Sequence, residues 1–185
     1  QVVPENIESA KMAFLGVRAC ELNAIAIQDK IFAQGEYRDS EYQARRRNNF
    51  ILAVNCTQAG GTCFCASMKT GPKVTSGFDL ALTEIINDGE HYFLFESGTD
   101  SGAEVLAQIT SRPASQEERA LMEQAIGRAS AQMGRSLDTN GIKELLYNNS
   151  EHPRWDDIAS RCLTCGNCTM VCPTCFCSQM EDYTD

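Results

Sequence analysis

Cys162-Leu-Thr-Cys165-Gly-Asn-Cys168-Thr-Met-Val-Cys172-Pro173 sets four thiols at C-x2-C-x2-C-x3-C-P spacing, late in a 185-residue chain that carries ten cysteines. Thiolates are soft ligands that take zinc or iron–sulfur clusters. Three of them stepped two residues apart wrap three corners of a cuboidal cluster, because the intervening peptides curl around it. Gly166 permits the tight backbone path and leaves amide donors facing the sulfides, and Pro173 turns the chain away. Structural zinc sites instead pair one C-x2-C with a distant second pair. The even stepping therefore favours a 4Fe–4S cluster over zinc. An even number of cysteines also suits a disulfide framework, but such frameworks belong to short secreted chains.

This run is the one found in bacterial ferredoxins, where in two-cluster forms the fourth cysteine of each run ligates the other cluster. One such run is present here. Cys172 is then expected to serve a cluster whose other ligands lie beyond Asp185, and the cluster on Cys162, Cys165 and Cys168 lacks its fourth local ligand. Thr-Cys-Phe-Cys occurs twice, at 62–65 and 174–177. Three readings stand open for Cys175 and Cys177 (ligands, a reactive pair, buried thiols), with no ligation preferred.

A second set of thiols, Cys20, Cys56, Cys63 and Cys65, follows from the elements that carry them. Apolar runs at 12–19 and 50–55 end at Cys20 and Cys56, and the stretch 21–32 between them has the spacing of a packed helix. Two buried strands around a helix predict a βαβ unit with a parallel pair. Both cysteines then sit at the carboxyl ends of neighbouring strands, the edge where open α/β sheets place ligands. Cys63-x-Cys65 arrives from a loop at 57–77 that contains Gly60 and Gly61. Four cysteines on one edge make a cluster-sized set. Buried core cysteines are the plain alternative, but C-x-C in a glycine-rich loop is a poor packing motif.

The remaining chain supplies scaffolding. Residues 39–48, with Arg45, Arg46 and Arg47, predict a polar helix with a solvated face. An alternating stretch at 79–85, the turn signal Asn87-Asp88-Gly89 and a return strand at 92–95 predict a hairpin, with a short helix as the alternative for 79–86. Helices are predicted at 101–109, from the capping box Ser115-Gln-Glu-Glu118 onward with Leu121, Met122, Ala125, Ile126, Ala129 and Met133 facing a core, at 141–147, and from Pro153 as first helical residue to Cys162. His91 reads as a strand residue and His152 as a surface cap. Trp155 is expected to pack the cysteine module against the spacer.

The predicted fold class is α/β: a mixed sheet with a βαβ start, then a helical spacer and half of a bacterial-ferredoxin-type iron–sulfur module. The corresponding divisions are 1–112, 113–150 and 151–185. Both ends read as cut from a longer protein, since residue 1 is Gln. A net charge of −9 argues against nucleic acid as partner and suits a basic partner surface. No apolar run reaches the length of a membrane span, and no signal peptide opens the chain. The sequence carries neither G-x-G-x-x-G after a strand nor a P-loop motif.

Three stretches resemble the sulfhydrogenase beta subunit: Phe-Leu-Gly-Val-Arg-Ala-Cys-Glu-Leu-Asn-Ala-Ile-Ala-Ile-Gln-Asp at 14–29, Val-Asn-Cys-Thr-Gln-Ala-Gly-Gly-Thr-Cys-Phe-Cys at 54–65, and the run from Arg161 through Cys177. The anaerobic sulfite reductase A subunit is similar, and the likeness extends to Lys143-Glu-Leu-Leu-Tyr147 and His152-Pro-Arg-Trp155. The resemblance implies an electron-transfer subunit with 4Fe–4S clusters, standing between a flavin and pyridine-nucleotide subunit and a catalytic subunit of hydrogenase or sulfite/sulfur reductase type. It implies that Cys20, Cys56, Cys63 and Cys65 hold one cluster. One or two further clusters involve Cys162, Cys165, Cys168 and Cys172, completed by residues outside this chain. The sequence departs from the family in lacking the second cysteine run and an amino-terminal lead-in. The expected role is a cytoplasmic relay that is not catalytic alone. Its rivals are a zinc-stabilised interaction module without redox role and a redox sensor switching at Cys175 and Cys177.

Overall fold

A computed structural model describes residues 10–87, 89–173 and 175, which form two compact units divided after Leu137. In the first unit, strand β1 (Met12–Arg18) leads into helix α1 (Ala19–Gln28), which runs on as a π-helical turn over Asp29–Ala33. Helix α2 (Ser40–Arg47) precedes β2 (Asn49–Val54), and the long loop that follows ends at β3 (Leu80–Asn87) and β4 (Glu90–Ser97). Helices α3 (Asp100–Leu106) and α4 (Gln116–Ala131) complete the unit. The sheet order is β1-β2-β3-β4. β1 and β2 are parallel, as the βαβ pattern predicts, β3 joins β2 in parallel, and β4 returns antiparallel. The fold is thus mixed α/β around a mixed sheet.

The core forms where α1 lies on the sheet. Ala19 and Leu22 of α1 pack with Ile51 and Ala53 of β2, Ala81 of β3, and Val74 and Phe78 of the loop. Burial of each large apolar side chain here stabilises by about 2 kcal/mol. β1 departs from the expectation of two buried strands. It is an edge strand, with one neighbour, and Leu15 is 74% exposed. Residues 80–86 are strand rather than helix, because β3 is paired on both sides. Asn87 pairs with Glu90; Asp88 of the expected turn lies outside the described residues.

Asp79, just before β3, completes the ladder with its side chain. Its N–H donates to Ile51 O at 2.9 Å, and its Oδ2 accepts from Ile51 N–H at 2.7 Å. The carboxylate occupies the place of a strand carbonyl. Its Oδ1 accepts from the Thr99 hydroxyl at 2.6 Å, and Thr99 caps α3 by accepting from Gly102 N–H.

In α4, Ala125, Ile126 and Ala129 are buried and Leu121 and Met122 half-buried, the face expected from their spacing. The helix packs on β3. Its capping box is formed: Glu118 N–H donates to Ser115 Oγ at 3.1 Å, and Ser115 N–H donates to Glu118 Oε2 at 2.7 Å. Ser115→Ala removes one half of the box and is expected to lower stability by about 1 kcal/mol in denaturant melts. Hydrogen bonds from Arg112 first, and then from Ser115, pull the Glu118 carboxyl down to about 2 from 4.5. A depressed carboxylate stabilises fully above its unfolded value, so this contribution is expected to fade between pH 4.5 and 2. The same melts repeated across that window check it.

The arginine-rich helix is less solvated than its sequence suggests. Arg45 pairs with Glu41 on the surface, but Arg46 turns inward to Asp29, which also accepts from the Tyr42 hydroxyl at 2.6 Å. Burial, and then Asp29, push the Tyr42 phenol up. His91 lies on β4 with its Nε2 2.9 Å from Glu84 Oε1.

The second unit carries short helices α5 (Ile142–Tyr147), α6 (Arg154–Ser160) and α7 (Asn167–Val171). Pro153 stands just before α6 rather than in its first turn. His152 caps as expected, its Nδ1 accepting from Arg154 N–H at 3.0 Å. Trp155 Nε1–H donates to Asn149 O at 2.6 Å, tying α6 to the end of α5.

Candidate metal centre

The amino-terminal thiols come from three places in the first unit. β1 ends at Arg18 and Cys20 lies in the first turn of α1, one step beyond the predicted strand end. Cys56 lies two residues past β2. Since Arg18 and Val54 are register partners in parallel strands, both cysteines leave the same edge of the sheet. Cys63 and Cys65 follow in the loop. A turn from Cys63 N–H to Gly60 O at 3.0 Å and a second from Thr70 N–H to Cys65 O at 3.0 Å fold the loop back on itself.

The loop is then fastened on three sides. Cys56 N–H donates to Pro72 O at 3.2 Å, and Asn23 of α1 donates to Thr70 O at 3.4 Å. From beyond α4, Met133 Sδ accepts from Ala66 N–H at 3.4 Å and stands 3.9 Å from Cys65 Sγ. Gly71 is the tight point. A Cβ there would lie 3.1 Å from Cys65 Sγ and 3.2 Å from Ala19 Cβ, so a side chain at this position would press that sulfur aside by a few tenths of an ångström. Gly71→Ala is expected to cost about 1 kcal/mol and to slow alkylation-sensitive access to Cys65, measurable by mass spectrometry of the modified peptide.

The four sulfurs are electrostatic neighbours. Burial first, then the charge of Cys20, pushes the Cys56 thiol up, with Cys65 and Cys63 adding to it and Arg18 opposing. Burial, Cys20 and Cys63 push Cys65 up in the same way, against hydrogen bonds from the backbone of Cys65 and Ala66. The Arg18 guanidinium lies near Cys20 and Cys56 but is ion-paired with Glu21 at 2.5 Å. Cys20, Cys56, Cys63 and Cys65 are free thiols. They stand in electrostatic reach but not in ligand contact: among the described residues no three His, Cys, Asp or Glu side chains already surround a metal-sized point. Four thiols, soft donors by type, are the donor set that a thiophilic metal group takes.

The carboxyl-terminal run occupies the second unit. Cys162, Cys165 and Cys168 are exposed free thiols, and Cys172 is half-buried at the end of α7. Gly166 adopts φ +69°, as the tight path requires, and its carbonyl accepts from Thr169 and Met170 N–H at 3.0 Å to start α7. Cys162 Sγ accepts from Thr164 N–H at 3.4 Å, so one backbone amide faces that sulfur. Cys175 N–H donates to Cys172 O at 3.1 Å, while Cys177 lies outside the described residues.

Among the described residues no helix is long and apolar enough to cross a membrane. The sequence reading named the thiols but missed Arg18, Gly71 and Met133, which act from the neighbouring backbone and from a distant helix end. No protein-family model matches the chain, and no solved structure matches it. It is 33% identical to sulfhydrogenase 2 subunit beta of Pyrococcus furiosus over 175 residues, which are 93% of this chain and 50% of that protein. The chain thus spans about half the length of this relative.

Proposed function

Because this chain is a homologue of the sulfhydrogenase beta subunit along 93% of its own length, we propose that it is an iron–sulfur electron-transfer subunit of a hydrogenase-type oxidoreductase complex. It relays electrons between a flavin and pyridine-nucleotide subunit and a catalytic subunit of hydrogenase or sulfite/sulfur reductase type, in the cytoplasm. The observation that carries this reading is that Cys20 and Cys56 follow the ends of two paired parallel strands, Arg18 against Val54, while the arm of the loop that carries Cys63 and Cys65 is tied back to Cys56 at Pro72.

In this reading those four residues hold one 4Fe–4S cluster. Cys162, Cys165 and Cys168 hold three corners of another, and Cys172 serves a further cluster completed by ligands outside this chain. A bound cluster supplies reversible one-electron storage. The chain's own residues do the rest. The sheet edge fixes Cys20 and Cys56, the folded loop brings Cys63 and Cys65 to them, and Thr164 N–H donates toward Cys162.

The test is anaerobic reconstitution with iron and sulfide. A broad visible absorption that bleaches on reduction supports the reading. A colourless protein holding stoichiometric zinc would establish the interaction-module alternative instead. The purified, flavin-free chain is expected to give no NADPH-dependent dye reduction, and measurable turnover would overturn its role as a relay. At the carboxyl-terminal run a substoichiometric, labile signal is expected, changed little by Cys172→Ser. Complete loss of a stable cluster in that variant would show that Cys172 closes it locally.

A further inference from the structure

Asn55 sits between the end of β2 and Cys56, and it is 2% exposed. A carboxamide costs free energy to bury unless both its ends are hydrogen-bonded. Here both are: Nδ2–H donates to Thr83 Oγ1 at 2.8 Å, and Oδ1 accepts from Val74 N–H at 2.7 Å. Thr83, 1% exposed, is the only other buried polar side chain among the described residues. The backbone N–H of Asn55 donates to Leu82 O at 2.9 Å, and the next residue, Cys56, donates its own N–H to Pro72 O at 3.2 Å.

These bonds form a continuous link. Asn55 joins β2 to β3 through Thr83 and to the returning arm of the loop through Val74. Cys56 holds the same arm at Pro72. Beside Pro72 is Gly71, against which Cys65 Sγ rests. The spacing between Cys56 and Cys65 is therefore set by the arm that Asn55 pins, and an apolar residue at position 55 would fill the space without pinning it.

We propose that Asn55, seated on Thr83, is a positioning residue for the amino-terminal thiol set, holding Cys56 in register with the loop that carries Cys63 and Cys65. The inference rests on the reading of that set as a cluster site. Hydrogen-bonded groups behind metal ligands change affinity by about 10- to 100-fold when removed.

The experiment uses the full chain, reconstituted anaerobically, and follows cluster release to a ferrous chelator together with the reduced-state EPR spectrum and midpoint potential. Asn55→Ala and Thr83→Val are expected to release the amino-terminal cluster about tenfold faster, with a changed spectrum and potential. Thr83→Ser keeps the hydroxyl and is expected to behave as wild type. Ile126→Ala, in the α4 core, lowers melting temperature without touching the latch and is expected to leave release, spectrum and potential unchanged. Wild-type release, spectrum and potential in both Asn55→Ala and Thr83→Val would overturn the inference alone, as would an Ile126→Ala effect equal to that of Asn55→Ala. A wild-type chain that takes up no cluster would overturn the underlying reading as well.

Discussion

Cys65→Ser is expected to abolish the amino-terminal cluster, lowering iron content after reconstitution by about four atoms per chain. The magnitude follows from where Cys65 stands. Its sulfur lies between Gly71 and Met133, and its charge couples to Cys20 and Cys63. A serine hydroxyl is a harder, far less acidic donor and holds iron much less well than a thiolate. The labile signal of the carboxyl-terminal run should persist in this variant, and Cys165→Ser should show the converse. Two independently removable signals would assign one set of thiols to each. Iron retention at the wild-type level in Cys65→Ser would remove Cys65 from the ligand set and send the search for a fourth donor elsewhere on the loop.

Asp79→Ala should be the most damaging change outside the thiols, lowering stability by about 3 kcal/mol. The loss has two parts. Ile51, itself 2% exposed, keeps an amide with no acceptor, and Thr99 loses the carboxylate that anchors the α3 cap to the sheet. Asp79→Asn retains an acceptor oxygen toward Ile51 and should cost about 1 kcal/mol. Denaturant unfolding of both variants separates the contributions. Equal stability in Asp79→Ala and wild type would mean that the carboxylate is not closing the ladder.

How much of this was open to a sequence reading depended on distance along the chain. The β1–α1–β2 unit was legible because apolar runs and a helical period adjoin one another and end at Cys20 and Cys56. The Ser115–Glu118 box was legible because capping is a four-residue motif. The hairpin was legible from its turn. What periodicity does not carry is pairing across long separations. The parallel seat of β3 on β2, Leu52 against Leu80, has no local signature. Neither does the Asn55–Thr83 bond across 28 positions, nor the meeting of Cys65 with Met133 across 68. Asp79 and Asn55 looked like ordinary strand-end polar residues, since nothing in their neighbours announces a buried partner. In the arginine run, composition suggested solvent, and only the fold reveals that Arg46 is drawn inward by Asp29. The thiols themselves were named from spacing and setting, but what holds them in place was not.

The clasp of Met133 on Ala66 also bears on biosynthesis. The contact joins positions 67 apart, so the loop carrying Cys63 and Cys65 leaves the ribosome well before the residue that fastens it. At roughly 5–20 residues per second, that interval is on the order of several seconds. During it the thiols are present but the enclosure is not. The order of translation thus makes closure of this loop a late step, once the segment through Met133 has emerged and folded back.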